Sequence, residues 1–95
     1  MGAQQFETKG TGITPREAFS DAVDRARYLH GHGGYTGSLA EKSSYTLLDP
    51  GTEDPQAFVR RLMDDGDPRI DDKWGPAGCV KLTLDTYIFF GWASS

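Results

Sequence analysis

The stretch VKLTLDTYIFFGW, residues 80–92, decides the fold of this chain. Its first half alternates apolar and polar residues from Val80 to Asp85, which predicts a half-buried strand with a period of two. Its second half, residues 87–92, is almost continuously apolar and predicts a central strand that is buried on both faces or at an interface. The two strands are joined at Asp85 and Thr86, too tightly for a crossover connection, so the sheet is at least partly antiparallel.

Two helix starts precede that stretch. Thr14 is a good N-cap, Pro15 suits the first helical position, and Glu17 follows Thr14 by three residues to complete a capping box. An apolar stripe with a 3.6-residue period follows this start, as expected for a helix that packs on a sheet. The pair Asp54 and Pro55 predicts a second helix by the same logic.

The remaining elements complete a simple order. Residues 4–9 are expected to form a first strand and residues 38–48 a second strand. The resulting order, β-α-β-α-β-β, predicts an α+β fold of two layers, in which two helices pack on one face of a largely antiparallel sheet. A chain of 95 residues is long enough for a single domain, which we assign to residues 1–95.

The composition limits the classes of function. A net charge of −4 disfavours sequence-independent binding to long nucleic acid, because such binding is driven by the neutralisation of phosphates. No apolar run reaches the roughly 18 residues that span a bilayer, and the N-terminus lacks the basic start and apolar stretch of a signal peptide. The single cysteine, Cys79, is expected to be a buried structural thiol, with a reactive thiol as the alternative. We therefore expect a cytoplasmic protein without a membrane partner.

A first candidate site lies where the first strand meets the first helix. A glycine turn before a helix N-terminus exposes N–H groups and the positive end of the helix dipole, which suits a compact anion. The residues that would contact such a ligand are Lys9, Gly10, Thr11, Gly12 and Arg16. The alternative is a strand-to-helix turn with a good cap and no ligand.

A second candidate site is the glycine-rich segment GHGGYTG, residues 31–37. Four glycines in seven positions indicate backbone that turns through positive φ or that is approached closely by another group. The segment follows a helix C-terminus and so is not a Rossmann turn, but its N–H groups could cradle a ligand while Tyr35 stacks on a base. The residues assigned to this site are Gly33, Gly34, Tyr35, Thr36, Gly37, Ser38 and, just beyond them, Lys42. The alternative is a helix C-cap followed by a tight loop.

Three other features are candidates for chemistry. His30, His32 and Glu41 are the residues that general acid–base catalysis would use; two histidines are too few for a metal site, and no cofactor is expected. Trp74, which is flanked by glycine and proline, is either a stacking platform for a base or a lid on the core. The acidic segment 64–72 lacks the glutamate that closes a calcium loop, so we expect a solvated loop there.

Three blocks of sequence together resemble a known family. They are FETKGTG with PREAF (residues 6–12 and 15–19), GHGGYTG with AEK (31–37 and 40–42), and KWGPAG with FFGWAS (73–78 and 89–94). Over most of its length the chain is similar to a family of small, largely uncharacterised proteins of tailed bacteriophages and some bacteria. Small phage proteins include sponges for the nucleotide signals of host defence and enzymes that remove them. No activity is established for that family, so the resemblance implies a phage or bacterial source more than a function, and a nucleotide ligand in the cytoplasm of a bacterial host is an association with other small phage proteins.

These observations lead to three hypotheses of function. The first is a homo-oligomer that binds a nucleotide or another compact anion, as a sponge that sequesters a nucleotide immune signal of the host. The second is a phosphodiesterase-like enzyme that degrades such a signal. The third is a protein–protein inhibitor of a host factor, which would act through the acidic face at residues 64–72. The ligand hypotheses require the two glycine-containing segments to form one shared hollow edged by cations.

Overall fold

A computed structural model describes residues 2–30 and 37–94 of the chain. Its elements, in chain order, are strand β1 (Ala3–Thr11), helix α1 (Pro15–His30), a 3₁₀ turn (Leu39–Glu41), strand β2 (Tyr45–Leu47), helix α2 (Pro55–Asp65), strand β3 (Ala77–Thr83) and strand β4 (Thr86–Ser94). The predicted order β-α-β-α-β-β and the α+β class are confirmed. Neither helix in the described part of the chain is long and apolar enough to cross a membrane.

The sheet has the strand order β1-β4-β3-β2. β4 pairs antiparallel with β1 along its whole length, from Ala3 opposite Ser94 to Thr11 opposite Thr86. β4 also pairs antiparallel with β3, whereas β2 pairs parallel with β3. The prediction of a largely antiparallel sheet is therefore confirmed, and β1 and β2 form its two edges.

The two helices pack on opposite faces of this sheet, so the prediction that both pack on one face in two layers is wrong. Successive residues of a strand point to opposite faces. Phe89 of β4 belongs to the cluster that contains α1, whereas its neighbours Ile88 and Phe90 belong to the cluster that contains α2. The molecule thus has three layers, helix, sheet and helix. The continuous apolar run at 87–92 already required a cover for the second face of β4.

The cluster on the α1 side combines small helix residues with aromatic residues of the sheet. Its buried members are Phe6, Ala18, Ala22, Val23, Ala26, Leu39, Ala77, Cys79, Tyr87, Phe89 and Ala93. Phe19 of α1 stacks edge-on against Phe89, with ring centroids 5.3 Å apart. Cys79 is fully buried in this cluster, as predicted, and burial raises the pKa of its thiol to about 12.

Both predicted helix starts are confirmed. The N–H of Glu17 donates to the hydroxyl of Thr14 at 3.2 Å, and the Thr14 N–H donates back to the Glu17 carboxylate at 3.3 Å. At the start of α2, a carboxylate oxygen of Asp54 accepts from the N–H of Ala57 at 3.1 Å. Each cap satisfies backbone donors that the first turn of a helix leaves without an intrahelical partner.

β2 is much shorter than the strand predicted for residues 38–48. The Ser38 hydroxyl instead accepts from the N–H of Ala40 at 3.2 Å, and the N–H of Lys42 donates to the carbonyl of Leu39 at 2.9 Å. These local bonds stabilise the 3₁₀ turn, because a serine side chain competes with a strand ladder for the neighbouring backbone donors. The chain becomes extended in the sheet only at Tyr45.

Candidate functional site

The turn between β1 and α1, the first predicted site, is closely packed. A Cβ atom on Gly10 would collide with the carbonyl oxygen of Ala18. A Cβ atom on Gly12 would collide with the backbone of Ala18 and with the side chain of Glu17. The absence of side chains at both glycines therefore lets α1 lie directly against the end of β1. The close packing agrees with the alternative interpretation of the sequence, which is a strand-to-helix turn without a ligand.

The backbone donors of the same turn are already engaged. The N–H of Thr11 donates to the carboxylate of Asp21 at 2.9 Å, and the N–H of Gly12 donates to a carbonyl of the β3–β4 turn at 2.8 Å. The capping box of α1 uses two further donors. The carboxylate of Asp21 thus lies where an anion would have to bind. Lys9 and Arg16 are exposed, but the backbone N–H groups of the turn between them are already engaged.

The described ends of the two glycine-containing segments lie at opposite ends of β1. The N–H of Gly37 donates to the carbonyl of Ser94 at 2.8 Å, and a Cβ atom on Gly37 would meet the side chain of Gln4. Gln4 lies near the start of β1, and Gly12 follows its end. Eight residues of strand separate these two positions by about 26 Å. The described ends therefore do not form the shared hollow that the sequence suggested.

Most of the second predicted site falls outside the described residues. The residues concerned are Gly31, His32, Gly33, Gly34, Tyr35 and Thr36. His30 is the last residue of α1, and Glu41 ends the 3₁₀ turn, where its N–H donates to the carbonyl of Ser38 at 3.1 Å. The catalytic hypothesis for His30, His32 and Glu41 and the stacking role of Tyr35 therefore stay predictions.

Lys42 is a buried lysine, although the sequence placed it among the ligand-contacting residues. Only 4% of Lys42 is exposed, and its Nζ donates to the backbone carbonyls of Asp72, Lys73 and Gly75 at 3.1, 3.2 and 2.8 Å. Burial lowers the pKa of this ammonium group, and the charge of the Asp72 carboxylate acts in the opposite direction. All three N–H bonds of an ammonium group are thus directed at one loop. Lys42 holds that loop in place.

The loop that Lys42 holds, residues 72–76 and called here the Trp74 loop, presents an aromatic ring to solvent. The N–H of Trp74 donates to the Asp72 side chain at 2.9 Å, and the N–H of Gly75 donates to the Asp72 carbonyl at 3.0 Å. Trp74 is 67% exposed, so it is not a lid on the core. Lys73 Nζ lies 5.5 Å from the centre of the Trp74 ring and 3.5 Å from the carbonyl of Gly2. The loop therefore combines a fixed backbone with an accessible indole and a cation.

Two buried polar atoms lie at the same end of the sheet. Within residues 2–30 and 37–94, the indole Nε1 of Trp92 and the hydroxyl of Ser94 have no hydrogen-bond partner. Ser94 is 2% exposed and pairs with Ala3, next to the Gly2 carbonyl that Lys73 contacts. Buried polar groups are normally paired in folded proteins. Polar groups without a partner therefore accompany the Trp74 loop at this end of the molecule.

A groove of about 290 Å³ separates α2 from β1. It is lined by Gln5, Phe6, Glu7, Arg60, Met63 and Asp64. One guanidinium group faces two carboxylates there, which does not favour an anion. In the part of the chain that the structure describes, no group of three or more His, Cys, Asp or Glu residues could hold a metal ion.

Comparison of the chain with protein-family models, with curated proteins and with solved structures found no match. Any functional assignment therefore depends on the geometry of the described residues. That geometry points to the Trp74 loop, where a buried lysine fixes the backbone beneath an exposed aromatic ring.

The sequence predicts one member of this site, Trp74, but it does not predict the roles of Asp72 and Lys42. The sequence predicts Trp74 as a stacking platform, whereas it places Asp72 in a solvated acidic segment. An aspartate shortly before glycine and proline, as Asp72 is before Gly75 and Pro76, is typical of a turn in which the carboxylate accepts from the backbone N–H two residues later. This signal could have identified the role of Asp72. The burial of Lys42 had no local signal, because its carbonyl partners lie 30 or more residues away in the sequence.

Proposed function

We propose that the protein binds a ligand of the nucleotide class at the Trp74 loop. The base stacks on the indole of Trp74, and a phosphate lies near the ammonium group of Lys73. The observation that carries this proposal is the exposed indole on a loop that a buried ammonium group fixes through three hydrogen bonds. A loop that is fixed before binding loses less conformational entropy on binding than a mobile loop does.

Stacking supplies part of the free energy of recognition. A base stacked on an aromatic side chain contributes about 1–3 kcal/mol, and it does so for every base because every base has a π face. The Lys73 ammonium group lies over the Trp74 ring, 5.5 Å from the ring centre, and so adds a positive charge to the same aromatic surface. Both groups therefore favour a flat, anionic ligand over an uncharged or purely apolar one.

We further propose that the ligand is a nucleotide signal of bacterial host defence, which the protein sequesters without cleaving. Support comes from the resemblance to small phage proteins, since the block KWGPAG at residues 73–78 contains most of the Trp74 loop. A sequestered nucleotide is recovered intact when the protein is denatured. Recovery of a hydrolysed product would instead support the phosphodiesterase hypothesis.

The test uses the two tryptophans of the chain separately. A Trp92→Phe variant leaves Trp74 as the one indole, whose fluorescence is then titrated with purine and pyrimidine nucleoside monophosphates and with cyclic dinucleotides. We expect saturable quenching, and calorimetry on the wild-type protein should give the same dissociation constant. Trp74→Ala should weaken binding about 5- to 100-fold, in line with the loss of one stacked base, whereas Trp74→Phe should retain part of the affinity.

Matched charge variants locate the site. Lys73→Gln should weaken binding and reduce its salt dependence, while Lys81→Gln, an exposed lysine on β3, should change neither. Arg16→Gln should also leave the affinity unchanged, because Arg16 lies at the opposite end of β1. The proposal is wrong if no nucleotide gives a saturable signal up to about 1 mM, a limit that corresponds to about −4 kcal/mol of binding. It is also wrong if Trp74→Ala binds as tightly as the wild type.

A protein partner is the second candidate, because exposed acidic residues of the segment 64–72 precede the exposed indole in the sequence. Asp64, Asp65 and Asp71 are exposed, and tryptophan is frequent at the centre of protein–protein interfaces. A basic host protein would therefore contact Trp74 and the aspartates together. Replacement of these three aspartates by asparagine should abolish co-purification of that partner, while leaving nucleotide affinity unchanged.

A further inference from the structure

In the part of the chain that the structure describes, no strand covers the outer edge of β1. The N–H of Thr11 donates to the Asp21 side chain, so the polar backbone groups of Thr11 point away from β4. In an antiparallel pair this orientation recurs at every second residue, so the N–H and C=O groups of Gln5, Glu7 and Lys9 also point away from β4. Within residues 2–30 and 37–94, no second strand pairs with β1 on this side. Such an edge is a template for another strand.

We propose that a second copy of this chain pairs antiparallel with β1, about a two-fold axis at Thr8, to form a continuous eight-stranded sheet. In this register Glu7 lies directly opposite Lys9 of the second copy, and Lys9 lies opposite Glu7 of the second copy. Both side chains are exposed and lie on the same face of the sheet, because they are two residues apart. The edge is therefore complementary in charge to itself.

Neighbouring registers lack this complementarity. A two-fold axis at Glu7 would place two glutamates opposite each other, and an axis at Lys9 would place two lysines opposite each other. Like charges directly opposite on paired strands are destabilising, whereas opposite charges stabilise. The charge pattern of β1 thus selects the axis at Thr8 and a second copy as the partner.

An exposed apolar patch on α1 faces the same edge. Asp21 reaches the open side of Thr11, and Arg25 and Tyr28 follow it at positions that lie on the same stripe of the helix. Tyr28 is 90% exposed and Leu29 is 75% exposed, and with Asp24 and Arg25 they line a shallow, largely apolar depression of about 350 Å³. Large exposed apolar side chains that cluster in this way are typical of interaction surfaces.

The proposed strand pairing brings this patch against its own copy. α1 contacts both β1 and β4, so its axis lies over the gap between these strands. The two α1 helices would then be about two strand spacings apart, or about 10 Å, which is the distance at which helices pack. Gly10 lies under Ala18 and Ala22, so Thr8, about 7 Å further along, lies under Asp24 and Arg25. The antiparallel helices therefore place Asp24 close to Arg25 of the second copy.

The test measures the mass and the dissociation constant of the full chain by sedimentation and light scattering. The wild type should have twice the mass of the 10.4 kDa chain. Glu7→Lys and Lys9→Glu should each weaken self-association about 10- to 30-fold, because each converts both cross-strand pairs from attraction to repulsion. The double variant Glu7→Lys with Lys9→Glu exchanges the two charges and should restore wild-type association.

Three controls connect the result to the register and the helix patch. An equimolar mixture of the two single variants should form a heterodimer, because each lysine then faces a glutamate. Tyr28→Glu should weaken dimerisation without changing the unfolding midpoint of the dissociated chain, since this side chain is exposed in one copy. A monomeric wild type at about 100 μM, a concentration that detects association of about −5 kcal/mol, overturns the proposal. Failure of the double variant to restore association does the same.

Discussion

Replacement of Lys42 by methionine should destabilise the Trp74 loop more than it destabilises the rest of the molecule. Methionine keeps the length and most of the volume of the lysine side chain but removes the ammonium group. The carbonyls of Asp72, Lys73 and Gly75 then lose a shared donor that lies at 3.1, 3.2 and 2.8 Å. The outcome depends on whether those carbonyls stay buried or turn towards water.

The expected cost follows from these two limits. If the loop opens and water satisfies the carbonyls, three bonds to a charged donor are lost but the ammonium group no longer has to be desolvated, so the net loss is about 2 kcal/mol. If the loop stays closed, each unsatisfied carbonyl adds about 1–3 kcal/mol, part of which is offset because a buried ammonium group no longer has to be desolvated. We therefore expect Lys42→Met to lower the free energy of unfolding by about 2–4 kcal/mol.

Urea denaturation measures this loss, and Lys81→Met is the matched control, since Lys81 is an exposed lysine of β3. Iodide quenching of Trp74 in a Trp92→Phe background reports the loop itself and should increase in Lys42→Met alone. Lys42→Arg should be intermediate, because a planar guanidinium group keeps the charge but cannot direct three donors as an ammonium group does. If Lys42→Met costs no more than Lys81→Met, the carbonyl contacts do not stabilise the loop, and the argument is refuted.

Three further predictions concern the rest of the fold. Gly10→Ala should cost about 3 kcal/mol in urea denaturation because its Cβ would displace α1, whereas Gly51→Ala, where φ is +64° but nothing crowds the residue, should cost about 1 kcal/mol; equal costs would contradict the packing argument. Cys79, whose pKa burial raises to about 12, should react with a disulfide reagent at about pH 8 only as fast as the protein unfolds, and rapid labelling of the native state would contradict its burial. Hydrogen bonds from the Arg69 side chain and backbone lower the pKa of Asp67 from 3.8 to about 2, so the stabilisation is present above pH 3.8 and is lost as the pH falls towards 2. Wild type and Asp67→Asn should therefore differ less in their unfolding midpoints at low pH than at neutral pH, and a constant difference would contradict this assignment.

Local signals in the sequence predicted the elements whose structure is decided locally. The capping residues Thr14 and Asp54 marked both helix starts correctly, and the apolar run at 87–92 correctly marked a strand buried on both faces. The predicted two-layer arrangement is wrong because a strand that is buried on both faces needs a helix on each face. Residues 38–48 were predicted as one strand because a serine cap and a buried lysine break the strand pattern without changing the local composition.

The candidate site depends on contacts between distant parts of the chain, which no local pattern contains. Gly10 and Gly12 resemble residues of an anion site in sequence, but Ala18 occupies the space beside both of them. Lys42 resembles a surface cation, but its partners are the carbonyls of a loop 30 or more residues later. In both cases the residue type was recognised, and the neighbour that determines its role was set by the three-dimensional fold.

The proposed ligand site and the proposed dimer axis lie at separate positions along β1. The Trp74 loop contacts Gly2 at the start of β1, whereas the proposed two-fold axis lies at Thr8. Six residues of strand span about 20 Å, so in an antiparallel dimer the two Gly2 ends lie about 40 Å apart on opposite sides of the axis. No single nucleotide can bridge them, so each chain should bind one ligand independently, and the Glu7→Lys variant should bind with wild-type affinity. Loss of affinity in that variant would mean that the ligand lies at the β1 edge and that the Trp74 loop is not its site.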